Sequence, residues 1–537
     1  MYRLKLSERS GIISSPHTMA DSTPLLSQVP VSAPPDTSSN QDDKSPNVFS
    51  LDEIIEQTLG SFGWGQFLQA LLVSLAWGFD AQQAFISVFT DALPLWHCTN
   101  NTTCKSTSKI CEIPRSSWSW DGSASQSIIS DWNLECASSF ISGFPESSFF
   151  AGCLVGALSL ATLADSAFGR KNLLLFSCLG MNIAALLTIF STNVWIYSAF
   201  RFATGFGSAP IATCTVVLLT ERVGTKWRGR VGVMASFGFG LGFLSLPAIA
   251  YISRGSSWKT LYLCTSISGI LYCLLAYYFA YESPRWLLVQ GREEEAIEIL
   301  KRLSPRKKDS FDARISSLPK SEEDDDFFSA IKDLFRKRWA LQRLLIVMVL
   351  SFSLGMMFYG IPLGIGDLGF NNIYLAVTFN ALMEFPSYVI TFFFLERANR
   401  RTSLLAFSMT SGICSIGCAI VHGSDMRGIQ IGLELGAYFC VCAAYNVLLI
   451  YSMELFPTCV RNTAATMVEQ SQVFGAIFSP MLISVSRGKE SSSYGVFGAV
   501  IICCGFFVAC LPETRGQTLC DTMGQQECKT RASTVLF

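Results

Sequence analysis

Charge is scarce in this sequence. Of 537 residues, 15% are Asp, Glu, Lys or Arg and half are hydrophobic, whereas a soluble globular chain carries about 25% charged residues. The charge that exists cancels: 40 Lys and Arg against 41 Asp and Glu leave a net charge of −1. So flat a balance gives no support for a nucleic-acid binder. Histidine is scarcer still, with three in the chain, His17, His97 and His422. None stands in an HExxH or similar arrangement, so no metal or other cofactor is expected. A Gly-x4-Gly-Lys-Ser/Thr element is missing too, since Gly488-Lys489 leads into Glu490 without that frame. Primary ATP-driven transport is therefore not expected, and no reactive constellation points to an enzyme. Residues 1–50 lack an apolar h-region and are polar, rich in Ser and Pro, so they read as disordered without a cleavable leader. Met19 is an alternative start.

What the chain has in abundance is apolar runs of membrane length. A helix needs about 20 apolar residues to cross the hydrocarbon core. Val231–Ser253, Leu261–Tyr281, Leu344–Gly366 and Thr402–Gly423 qualify without a charge, and Asn172–Phe200 breaks near Thr192-Asn193. Phe67–Phe89, Phe370–Leu395 and Thr463–Ser486 are each interrupted by one acid, Asp80, Glu384 and Glu469. Adding Ser147–Ala164, Phe202–Thr220, Gly428–Met453 (with Glu434) and Tyr494–Leu511 gives twelve spans. An all-α membrane protein is expected.

Basic clusters mark the cytoplasmic side. Arg170-Lys171, Lys226 to Arg230, Arg285–Arg343, and Arg397 with Arg400-Arg401 fall on one side if both termini are cytoplasmic. The loop 90–145 then lies in a lumen or outside, and it holds Cys98, Cys104, Cys111 and Cys136. Four such cysteines read as two disulfides, with three connectivities open. The same loop carries two overlapping glycosylation sequons, at Asn100 and Asn101. Upstream, Asp21 to Leu26 fits an acidic dileucine sorting pattern ending in Leu25-Leu26. It predicts the vacuolar membrane, with the plasma membrane as the alternative.

The spans repeat. Asp165 and Glu396 open similar basic loops after the second and eighth spans, 231 residues apart. Glu282 and Glu513 close the sixth and twelfth spans at the same interval, and Glu221 with Arg228 recurs as Glu454 with Arg461 at an interval of 233. The predicted organisation is a cytoplasmic segment (1–60), a six-span half (61–285), a cytoplasmic linker (286–342), a second half (343–512) and a tail (513–537). The acidic run 322–326 in the linker reads as a solvated stretch.

These motifs resemble those of the major facilitator superfamily, in its organic cation/anion transporter branch. The matching residues are Ser130 to Cys136 closing the first loop, Arg201 to Gly207, Thr220-Glu221 with Arg228 to Arg230, Glu282 to Leu288, and Glu454 to Thr458 with Arg461 to Thr463. Phe79 to Gln83 and Leu163 to Ser166 are similar to the plant organic cation/carnitine transporter group. Three residues separate Asp165 from Gly169 where the family has two, and Ala161 and Ser166 replace its glycine and arginine. The resemblance implies a major facilitator fold, twelve transmembrane helices in two six-helix pseudo-repeats. It also implies gating ion clusters on the cytoplasmic face, Asp165, Arg170, Glu221, Arg228, Glu282 and Arg285 in one half. Glu396, Arg397, Glu454, Arg461 and Glu513 form the other.

An ionisable side chain at membrane depth costs about 2.5–3.5 kcal/mol on insertion scales and is a functional candidate by default. For Asp80 the expected partner is Arg201, because the sugar-porter branch pairs an acid in helix 1 with the arginine of helix 4 and carries its proton there. A static pair and direct contact with a substrate cation stay open. Glu384, in Met383-Glu384-Phe385-Pro386, matches the acid of the Glu-Leu/Ile-Pro element that faces the pocket of organic cation carriers. Phe239, Phe358, Tyr359 and Tyr388 are candidate rings around a cation, with plain helix packing as the alternative. Where cation carriers place an aspartate and anion carriers an arginine stands Val473. Glu469 lies one turn earlier on the same face and is a second candidate acid for the substrate cation. Glu434 reads as a span-end residue that snorkels.

The function expected is a secondary carrier of small organic cations such as carnitine, choline-like compounds or polyamines. It would work in a lipid bilayer as a monomer, with protons as coupling ion. An organic anion or sugar carrier is the alternative, followed by a non-transporting sensor.

Overall fold

The computed structural model describes residues 62–99, 104, 110–160, 168–303, 327–368, 372–394, 397–421, 426–486, 492–516, 520 and 522–527. The candidate positions Leu25, Leu26, Asn100, Asn101, Asp165 and Glu396 lie outside them.

Twelve helices of membrane scale form the body. Before the linker come α1 (Trp64–Phe85), α2 (Ser139–Leu160), α3 (Arg170–Leu187), α4 (Val194–Ser208), α5 (Thr225–Ile252) and α6 (Trp258–Phe279). After it come α7 (Arg338–Leu363), α8 (Ile373–Phe394), α9 (Arg400–Ile420), α10 (Arg427–Leu455), α11 (Thr458–Ser486) and α12 (Ser492–Phe506). Short helices Ser87–Thr90 and Ile211–Thr220 extend α1 and α4. Eleven of the twelve spans are apolar enough to cross a membrane. The other, α11, is as long as α10 but more polar, carrying Arg461, Glu469, Gln470 and Gln472.

Local chemistry sets the helix ends. Asn193 caps α4 by accepting from the backbone amides of Trp195 (3.1 Å) and Ile196 (3.0 Å), which is why the long apolar run breaks there. Gly169 enters α3 at φ +83°, and a Cβ there would lie 2.6 Å from Glu282 Oε2, so only glycine fits. At the crossing of α1 and α5 the backbones touch: a Cβ on Gly78 would sit 2.8 Å from the Gly238 carbonyl, with Gly242 beside it. Small residues four apart permit such approach.

One span begins earlier than its sequence suggests. Counted from the sequence, the span starts at Ser147. The helix instead starts at Ser139 and runs through Pro145, so loop 90–145 ends sooner and Glu146 lies two turns inside. Phe140, Ile141 and Phe144 supply the apolar surface of the added turns.

The connection between α1 and α2 marks what we call the loop end of the bundle; the linker end is opposite. Strands β1 (Trp96–Cys98) and β2 (Trp118–Trp120) pair antiparallel, Trp96 opposite Trp120. Disulfides join Cys98 to Cys104 and Cys111 to Cys136. The cap docks on the first six helices: Trp132 packs against Tyr197 and Trp258 at 5.7 and 5.6 Å, and Trp258 Nε1 donates to Asp131 (3.1 Å).

Helices of the two halves meet as α2 with α11 and α5 with α8. Ser147 Oγ donates to the Ile477 carbonyl at 2.7 Å. Phe89 stacks on Tyr374 at 5.5 Å and Tyr251 meets the same ring edge-on at 5.6 Å, both at the loop end. At the linker end, helices Pro284–Val289, Glu293–Leu303 and Phe327–Arg336 occupy the inter-half segment, with Trp286, Leu287, Leu300 and Leu334 buried.

Candidate functional site

Between the halves lies a cavity with about 930 Å³ of empty space, its solvent mouth included. Helix α1 contributes Trp77 and Asp80, α2 Phe149 and Phe150, α5 Phe239, α7 Phe358 and Tyr359, and α8 Tyr388. Helices α10 and α11 add Tyr445, Glu469, Gln472 and Val473. The four rings singled out in the sequence, Phe239, Phe358, Tyr359 and Tyr388, all line it. No Lys or Arg stands among its described lining residues.

Two carboxylates face this space. Asp80 accepts a hydrogen bond from Ser208 Oγ. Glu469 has neither a hydrogen bond nor an ion pair among the described residues, and it is partly exposed to the cavity. An unpartnered carboxylate framed by π faces is a complementary environment for an organic ammonium group.

The expected pairing of Asp80 with Arg201 is not what the structure contains. Arg201 pairs with Glu146, donates from Nη1 to the Gln83 carbonyl at 2.9 Å, and lies over the Phe149 ring at 4.5 Å. The reason is axial position. Ser208, which meets Asp80, is two turns beyond Arg201 along α4, about 10 Å at 1.5 Å per residue. Arg201 therefore belongs to the level of Glu146, a residue the sequence reading missed. The signal available was the single charge in the run 139–160, opposite a buried arginine that needs a counter-charge.

Glu384 is also placed differently from expectation. It is 0% exposed and does not belong to the cavity lining. Tyr388 OH donates to its Oε2 at 3.0 Å and Tyr438 OH to its Oε1 at 2.9 Å. Tyr388 thus stands between the acid and the cavity, a relation set by the i, i+4 spacing on α8. Glu434 does not snorkel: it is 1% exposed, because α10 begins at Arg427 and puts it two turns in.

At the linker end the two halves repeat one construction. Glu282 accepts from the Lys171 backbone amide at 3.0 and 3.1 Å, and Arg170 lies 3.9 Å from Glu221. Glu513 accepts from the amides of Arg400 (2.8 Å) and Arg401 (3.2 Å), and Arg400 lies 3.3 Å from Glu454. Each carboxylate meets the positive end of a helix. Arg461 donates to the Phe456 carbonyl at 3.4 Å, Arg397 is exposed, Arg228 stands in the first turn of α5 and Arg285 in the short helix that follows α6. Arg222, not singled out from sequence, is buried here and donates to Gln69 Oε1 at 3.2 Å. Burial lowers its pKa to about 10, against the opposing pull of Glu282 and Glu221.

The sugar (and other) transporter family matches residues 70–523. Organic cation/carnitine transporter 3 of Arabidopsis thaliana is 50% identical over 526 residues, 96% of this chain and 99% of its own length. Organic cation/carnitine transporter 2 of the same plant is 51% identical over 511 residues, covering 92% and 97%. Human solute carrier family 22 member 13 is 30% identical over 411 residues, covering 76% and 73%. Among solved structures, the partially occluded inward-open xylose transporter XylE from E. coli superposes with a TM-score of 0.60. It is 16% identical and covers 85% of this chain and 99% of that one; at such identity the likeness concerns the fold.

Proposed function

This chain belongs to the sugar (and other) transporter family, with the plant organic cation/carnitine transporters among its relatives, and from that premise we propose that it carries small organic cations by proton-coupled alternating access. Its fold is the twelve-helix major facilitator fold in two six-helix pseudo-repeats, a frame whose halves rock about a central site. The observation that carries the cation reading is the cavity itself, with Asp80, Glu469 and a wall of aromatic rings and no described Lys or Arg lining it. An organic anion would need the opposite charge there. Carnitine, choline-like compounds and polyamines are the proposed substrate class.

Of the two substrate acids expected from the sequence, Glu384 and Glu469, Glu469 is the proposed acid in contact with the substrate, and Glu384 positions Tyr388. Asp80 is the proposed coupling acid, with Ser208 as the partner that a proton would displace. The Arg170–Glu221 and Arg400–Glu454 clusters are the proposed gates, on the cytoplasmic side with both termini. The disulfide-bearing cap then faces the lumen of the vacuole, the membrane predicted by Leu25-Leu26.

One experiment tests this reading: uptake of a panel of organic cations into proteoliposomes, with and without an imposed pH step. The parent should accumulate at least one cation under the step. Glu469→Gln should weaken its binding by about 1–3 kcal/mol, the worth of a charge-assisted contact. Asp80→Asn should lose accumulation yet keep exchange, since an ion shifts only states that bind it differently. Uptake of anions alone, or accumulation by Asp80→Asn equal to the parent's, would overturn the reading.

A further inference from the structure

The duplication places an acid where the first half has its buried arginine. The interval relating Glu221 to Glu454 and Arg228 to Arg461 is 233, and 434 − 201 is also 233. Glu434 on α10 is therefore the repeat counterpart of Arg201 on α4. In the first half the charge is answered across the α2–α4 contact by Glu146. The interval relating the second and eighth spans is 231, and 377 − 146 = 231 leads to Val377, which is buried in the core. The second half has kept a charge-bearing position and lost the position of its partner.

The surroundings of Glu434 hold no replacement for that partner. Its Oε1 has no hydrogen-bond partner, and neither has Oδ1 of Asn380 on the neighbouring α8. Both side chains are fully enclosed, at 1% and 0% exposure. Asn380 is the side chain that reaches Glu434 from α8, and the thiol of Cys418 faces it from α9. Among the described residues no charged group faces it from α7, α8, α9 or α11. Two acceptor oxygens without a donor, in a dry site, leave one donor missing. A bare carboxylate there would have the Asn380 amide but no counter-charge among the described residues, and a proton on the carboxyl supplies the missing donor and removes the charge together.

We propose that Glu434 is a second proton-binding site, separate from Asp80, that holds its proton while the α8–α9–α10 packing is closed and exchanges it at the loop end. Two turns of helix separate it from that end, so a modest opening of α10 against α8 and α9 would wet it. Protonation on one face and deprotonation when that face opens would make the loop-end step of the cycle respond to the pH of that compartment. The proposal rests on the carrier reading for its role in transport, but the proton itself can be observed without transport.

The test is infrared difference spectroscopy of the purified full chain in lipid, between acid and neutral pH, on the parent, Glu434→Gln and Asp80→Asn. The parent should show a protonated-carboxyl band that Glu434→Gln removes and Asp80→Asn leaves, with Glu434→Gln melting at or above the parent temperature. Should Glu434→Gln fail to fold, Glu434→Asp keeps the acid and must move the band. A carboxyl region unchanged in both variants overturns the proposal whatever the protein transports. In the Asp80→Asn background, exchange should still depend on pH at the loop-end face, and adding Glu434→Gln should abolish that dependence. Exchange that keeps the same pH dependence in the double variant refutes the role in the cycle. A response to sodium rather than pH, lost with Glu434→Gln, would equally refute the proton as the ligand.

Discussion

Arg201 is fully buried and forms its ion pair with Glu146, with Asp91 adding a weaker pull, so the two substitutions Glu146→Gln and Glu469→Gln should behave in opposite ways. Removing one partner of a buried pair strands the other and costs about 3–5 kcal/mol. Glu146→Gln should therefore lower the melting temperature sharply and reduce the folded yield. Glu469 supports no neighbour, so its glutamine variant should melt like the parent and fail only in cation uptake. Melting curves with uptake measured on the same preparations check both; equal melting of the two variants would put Arg201 elsewhere. The residue scale is also where the sequence was least readable. Phe239, Phe358, Tyr359, Tyr388, Asp80 and Glu469 could be picked from span position alone, and all line the cavity. The direction in which Glu384 points could not be picked, because one of its two tyrosines, Tyr438, comes from another helix. Sequence spacing shows a neighbour four residues away and is blind to one fifty-four residues away.

Helix α5 offers a controlled comparison among its own glycines. Gly242 lies against the backbone of Gly78, whereas a methyl group added at Gly232 on the same helix would meet nothing within 4 Å. Gly242→Ala should cost about 1–3 kcal/mol, the usual cost of overpacking. Gly232→Ala should be neutral or slightly stabilising, because alanine favours helix over glycine by about 1 kcal/mol. Thermal melts in one detergent decide it, and equal melting would mean that α1 and α5 can separate without loss. Elements were the most readable level of the chain. Apolar length placed the twelve spans, and Asn193 marked a break through its capping chemistry. The miss was the start of α2, counted from Ser147 whereas the helix begins at Ser139 and includes Pro145. Proline forfeits one amide bond within a helix, and neighbouring helices in a membrane tolerate that loss.

Across the whole molecule, the aromatic contacts of Tyr374 with Phe89 and Tyr251 hold the loop ends of the halves together. An aromatic pair is worth about 0.5–1.5 kcal/mol beyond its area. Tyr374→Ala removes two such pairs and should shift the population by about 1–3 kcal/mol toward the form open at the loop end. Apparent affinity measured from that face should then rise, by at most about a hundredfold, since each 1.4 kcal/mol is one decade. Unchanged affinity from that face would show that these rings are not part of the closure. Location is a property of the same scale: replacing Leu25 and Leu26 by alanine in a fluorescent fusion should redirect the protein from the vacuolar membrane. An unchanged destination would mean that Leu25-Leu26 is not the sorting signal.

The grip of Glu282 on the amide of residue 171, and of Glu513 on the amides of residues 400 and 401, uses main-chain donors. Such bonds need no particular side chain at 171 or 401, although the Lys171 ammonium also feels the charge of Glu282. The entry to the helix differs between the two: Gly169 stands at φ +83°, whereas Asn399 stands at φ −71°. A carboxylate fastened to helix-end amides holds with either entry, because the bond depends on where the amides point and not on the residue that precedes them.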